Sequence, residues 1–173
     1  MSKDFTDDEL REVIPRLRRF ALSLTRQESS ADDLVQSCLE RALTRRETRR
    51  DEGDLRAWLF SILYRVFLDG QRRNKRYAGL LSLFGVGQDE DMAPSTEDVV
   101  LARSALDGFH RLPVDARALL LLVSVEGLSY QEAADTLGVP IGTVMSRISR
   151  ARKALRDLTE GKVVSQPSLQ VMK

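Results

Sequence analysis

Apolar residues recur at intervals of three and four along most of the chain, the spacing of helices that bury one face, and no useful stretch alternates as a strand would. Thr6, Asp7, Asp8 and Glu9 have the form of a capping box, so a helix is expected to begin there and to kink or restart at Pro15. A second helix is expected to open at Ser30, Ala31, Asp32 and Asp33 and to bury Leu34, Val35, Cys38, Leu39 and Ala42. After the break Asp51, Glu52, Gly53, Asp54 is placed to cap a long helix from Leu55 to about Arg76. Its inward stripe is Leu55, Leu59, Ile62, Leu63 and Val66.

The period fails between Leu80 and Pro94, where Gly85, Gly87 and an acidic triplet read as a linker. Ser95 or Thr96 is expected to cap a further helix, which Leu112 and Pro113 end because the residue before proline avoids helical backbone. Two domains follow, 1–78 and 96–160, with a linker at 79–95, a tail at 161–173 and a separate apolar core in the second half. The fold class is all-α.

Composition narrows the function. With 42% apolar residues the chain can build a core, and 27 basic against 26 acidic side chains leave a net charge of only +1, so placement of charge carries the information. Arg41, Arg45, Arg46, Arg49 and Arg50 form one basic cluster, Arg65, Arg72, Arg73, Lys75 and Arg76 a second, and Arg147, Arg150, Arg152, Lys153 and Arg156 a third. One Cys and one His cannot supply a disulfide framework or an ordinary zinc site, and no metal or cofactor is expected. No Gly-rich phosphate loop or nucleophile–base pair is present, and His110 is expected at the surface or a hinge, so the chain does not read as an enzyme. The acidic N-terminus lacks an apolar signal core and no run reaches the ~18 apolar residues of a span, so membrane insertion is not expected and the chain reads as cytoplasmic.

The most informative stretch runs from Leu128 to Leu158. Ser129 to Glu132 is another capping box, Gly138 suits a left-handed helix end, and Val139 with Pro140 restarts the chain, giving two helices across a tight turn. On the second, Val144, Ile148, Ala151, Leu155 and Leu158 share an apolar sector, which turns Ser146, Ser149, Arg150 and Lys153 outward with Arg147 at their flank. Such a helix suits the major groove, where Arg reads guanine and hydroxyls bind bases or phosphates. In the first half, Trp58, Phe60, Tyr64 and Phe67 lie on one helix beside a basic end, a combination that can stack and hold unpaired bases, although Trp58 and Phe60 are expected to be partly buried.

Leu112–Pro113, Gly127 to Ala134, Gly138 to Val144, Ser146–Arg147 and Arg150 to Arg152 resemble region 4 of the extracytoplasmic-function sigma factors of bacterial RNA polymerase. The resemblance implies a domain that docks on the flap of the β subunit and reads the −35 promoter element through Thr143, Ser146, Arg147, Ser149, Arg150 and Lys153. Met145 stands where that family usually has Lys. Asp32, Asp33, Leu34 and Gln36 resemble the segment that binds a β′ coiled coil, with Ser37 and Cys38 departing from the usual pair. Leu55 to Phe60, with Ile62, Leu68, Asp69, Arg72 and Arg73, is similar to regions 2.3 and 2.4, implying −10 recognition and strand capture by Trp58, Tyr64, Arg65, Asp69, Arg72 and Arg73. Tyr64 and Arg65 replace a common Arg–Asn pair.

The implied partners are core polymerase, promoter DNA and an anti-sigma factor. Two other functions fit parts of the chain: a free-standing helix-turn-helix regulator, and a sigma-like decoy that sequesters an anti-sigma factor. The aromatic and basic first-half helix weighs against the former, and the retained Ser and Arg of the recognition helix against the latter.

Overall fold

The computed structural model describes residues 6–45, 47, 54–83 and 107–160, with side chains placed for 54–77 of the second of these long segments. Every regular element among them is helical: α1 (Asp7–Thr25), α2 (Glu28–Thr44), α3 (Leu55–Leu83), α4 (Val114–Leu120), α5 (Tyr130–Leu137) and α6 (Ile141–Thr159). The helical backbone at 107–110 precedes α4, and α4 runs on as a wider π-helical turn, Leu121–Val125.

Local chemistry sets most of the boundaries. The Thr6 hydroxyl accepts from the Glu9 amide at 3.2 Å while the Glu9 carboxylate accepts from the Thr6 amide at 2.9 Å, the expected capping box. Pro15 does not restart the helix. Residues 11 and 15 are both exposed, so the Arg11 carbonyl that Pro15 cannot serve faces water and α1 continues. Arg26, left-handed at φ 62°, turns the chain so abruptly that α2 begins at Glu28, before the expected Ser30. Asp54 does cap α3, its carboxylate accepting from the Arg56 amide at 2.9 Å. That helix passes its expected end near Arg76 and reaches Leu83, so 79–83 of the expected linker are helical; 84–106 and the tail lie outside the described residues. The Ser129–Glu132 box forms, and Gly138 at φ 67° ends α5 in the left-handed conformation.

The first three helices enclose Leu17, Phe20, Cys38, Leu59, Phe60 and Leu63, all fully buried, with Phe20 edge-on to Phe60 at 5.2 Å. Burial pushes the Cys38 thiol up to about 12, so it stays protonated and packs as a small apolar group. A second cluster joins Leu112, Leu119, Leu120, Ala133, Ala134, Val144, Ile148 and Ala151. The second half thus has a core of its own, as its sequence implies, and it also contributes to the first. Ala118, Leu121, Leu122 and Leu128 from the second half complete the first half's core, because α4 is buried on both sides. Among the described residues no helix is long and apolar enough to cross a membrane.

Candidate polymerase and promoter surfaces

The joint between the halves is polar as well as apolar. Arg117 interrupts the run from Ala116 to Leu122 and is buried, its guanidinium donating to the Ser23 carbonyl at 2.7 Å and to the carbonyl of Leu112, with longer contacts to those of Leu24 and His110 at 3.5 Å. These are carbonyls at the end of α1 and in the turn before α4, so one planar cation ties two chain ends together. Burial, then the nearby Arg26, lowers its pKa below the ordinary guanidinium value. Burial also lowers His110, helped by Arg26 and Arg117, which favours the neutral imidazole.

The π-helical turn displaces the chain so that Glu126 points at α1. Its side chain is fully buried and accepts from Arg19 at 2.6 and 2.9 Å, with Arg16 at 3.8 Å. On the far side, the Tyr64 hydroxyl donates to Asp115 at 3.2 Å, and Asp115 also faces Arg147 at 3.8 Å. Burial, with Asp115 nearby, pushes the Tyr64 phenol up to about 12.

These contacts bear on the residues singled out from sequence. Thr143 and Arg147 are half-buried, while Ser146, Ser149, Arg150 and Lys153 are exposed around α6, opposite the buried Val144, Ile148 and Ala151. The Arg150 guanidinium donates to the Ser146 carbonyl at 3.3 Å, holding the side chain against the helix. In the first half, Arg65, Arg72 and Arg73 are exposed along α3, and Asp69 among them is paired with Arg41 of α2 at 3.2 Å. Trp58 is half-buried and Phe60 entirely buried. Tyr64 is buried against the second half, so no base can stack on it while the halves are joined this way.

Asp32, Asp33 and Gln36 are exposed on α2, whereas Leu34 faces the core. Arg18 of α1 donates to Asp32 at 2.6 Å, and this bond holds the Asp32 carboxyl below its ordinary range. Between α1 and α2 runs a shallow groove of about 300 Å³ lined by Ile14, Arg18, Asp32, Val35, Gln36, Leu39, Glu40 and Leu43. Ile14 is 36% and Leu43 56% exposed, so the groove is apolar inside and charged at its rim, the mixture that protein interfaces favour. Ile14, Leu39, Glu40 and Leu43 were not legible as site residues, because each falls within an ordinary helical period. Nor were Arg117 and Glu126, although each is a lone charge in an apolar run, which is the signal that marks them.

Helical halves that join a groove with an acidic rim, a basic aromatic helix and a helix-turn-helix with a cationic outer face make up the layout that the resemblance to the sigma class implies. Family models match in both halves: the Sigma2 domain of PhyR over residues 10–64, and Sigma-70, region 4, over residues 104–155. The ECF RNA polymerase sigma factor EcfG of Rhodopseudomonas palustris is 37% identical over 163 residues, covering 90% of this chain and 85% of that relative. SigL of Mycobacterium tuberculosis, another ECF sigma factor, is 34% identical over 143 residues, covering 81% of this chain and 80% of SigL. The sigma factor RpoE of Bartonella quintana, solved in complex with the anti-sigma factor NepR, superposes with a TM-score of 0.72 at 34% identity, over 88% of this chain and 95% of RpoE. The chain belongs to the ECF RNA polymerase sigma factors. It directs RNA polymerase to specific promoters for the initiation of transcription.

Proposed function

We propose that the outward face of α6 reads the upstream promoter element, and that the exposed arginines of α3, with Trp58, hold the melted downstream strand. The observation that carries this is the two-sidedness of α6: Val144, Ile148 and Ala151 are buried, and Ser146, Ser149, Arg150 and Lys153 point to solvent. A fixed helix with its packing on one side and donors on the other suits insertion into a major groove. The groove between α1 and α2, with Asp32, Asp33 and Gln36 at or beside its rim, docks on β′, and the second half docks on the β flap. An anti-sigma factor competes for these surfaces, a partnership supported by the NepR complex of RpoE.

Tyr64 joins the downstream surface only when the halves separate, since Asp115 holds its hydroxyl in the joined form. Docking on polymerase supplies the free energy of separation by burying faces of both halves.

Two variants test the assignment. Arg150→Ala is expected to weaken promoter binding by about 1–3 kcal/mol if the guanidinium reaches a base or buried phosphate. Footprinting of the holoenzyme measures it, and unchanged upstream protection would make the basic face merely solvated. Asp33→Arg is expected to lower affinity for core polymerase while circular dichroism stays that of the parent, because charge reversal on an exposed face opposes a basic partner. Wild-type affinity at physiological salt would place docking elsewhere.

A further inference from the structure

The outer face of α6 is not uniformly polar. Ile141 is 42% and Met145 54% exposed, one turn apart at the start of the helix, so they form a continuous apolar stripe there. At 100° per residue this stripe lies on one flank of the outward face, Ser146 and Ser149 occupy the middle, and Arg150 and Arg147 the other flank. The stripe borders the buried side of α6, Val144, Ile148 and Ala151, which packs on α4 and α5, and neither Ile141 nor Met145 belongs to that core.

A single exposed apolar side chain needs no explanation, but two adjacent ones on a face otherwise made of donors do. They lie in the first two turns, the part of a recognition helix that reaches base edges. A phosphate gains nothing from such a stripe, which has no donor or charge. The one apolar feature that the major groove displays is the C5-methyl group of thymine. We propose that Met145, supported by Ile141, selects thymine in the upstream element by packing on its C5-methyl group. This rests on α6 being the promoter-reading helix and names what one flank of it reads. Arginine on the other flank and the serines between them are left for hydrogen bonding, so the helix divides its outer surface between two kinds of contact.

The test uses holoenzyme and duplexes carrying the footprinted upstream element, each with one thymine replaced by deoxyuridine, which removes the methyl group and leaves base pairing intact. Wild-type binding is expected to fall about threefold to fivefold at one or two positions, the worth of burying one methyl group. Met145→Ala is expected to bind unmodified DNA weaker by a similar factor and to be indifferent to deoxyuridine at those positions. Equal sensitivity in Met145→Ala and wild type, or no sensitive position, overturns the proposal. So does a loss in Met145→Ala that tracks weaker binding to core polymerase. Arg150→Ala, run beside it, separates the two levels: if it weakens binding while Met145→Ala does not, only the methyl contact is wrong. If neither has an effect, α6 is not the reading helix and the thymine contact falls with it.

Discussion

Arg117→Ala is expected to lower the free energy of unfolding by about 3–5 kcal/mol, the largest effect expected of any polar substitution among the described residues, because it leaves several buried carbonyls without a donor. The carbonyls of Ser23 and Leu112 are the close partners, and they belong to different halves of the chain. Lysine is not expected to rescue the loss, since an ammonium cannot span the planar fork that reaches both ends. Chemical denaturation measures the stability, and a label pair measures the joint. Arg11→Cys on α1 and Arg156→Cys on α6 are exposed positions, while the native Cys38 is buried with its pKa pushed up to about 12 and does not compete for thiol reagents. The label distance is expected to increase in Arg117→Ala even under conditions where helix content is retained. A stability loss below about 1 kcal/mol, within the net worth of one ordinary hydrogen bond, or an unchanged distance, would show that the apolar contacts of Ala118, Leu121 and Leu122 hold the halves without it.

Phe60→Ala is expected to cost about 3–5 kcal/mol by a different route, the cavity left by a fully buried aromatic ring. Phe60 meets Phe20 edge-on at 5.2 Å, so the substitution also removes a favourable ring pair inside the three-helix unit. Phe60→Leu is expected to lose less, since it refills most of the volume. The exposed faces of α3 and α6 are untouched, so promoter binding by the folded fraction is expected to be that of the parent at low temperature. Thermal unfolding and footprinting together check this. A specific loss of downstream protection at full folding would instead give Phe60 a direct part in strand capture.

Much of this protein is written in local sequence. Three caps, at Thr6, Asp54 and Ser129, form because the required side chain and amide are two or three residues apart, an interaction that needs no tertiary partner. Gly138 is legible for the same reason, since its left-handed backbone is a property of one residue. The outward set Ser146, Ser149, Arg150 and Lys153 follows from helical period alone, and so does the burial of Val144 and Ile148. Pro15 reads as a break because proline removes a donor, but whether that matters depends on whether the orphaned carbonyl faces water, which packing decides.

Contacts between residues 51 to 107 positions apart have no local signature. Arg19 meets Glu126, Arg117 meets the carbonyl of Ser23, and Tyr64 meets Asp115 only once α4 has entered the space between the first three helices and the helix-turn-helix. Period gives Tyr64 a place on α3 beside basic residues, yet the second half buries it. The α1–α2 groove likewise arises from two helices meeting, with Ile14 and Leu43 left exposed on either side. Short-range chemistry thus decides which segments are helices and which faces can carry charge. Only the approach of distant helices decides which of those faces stay open, because burial and buried hydrogen bonding are properties of the assembled core.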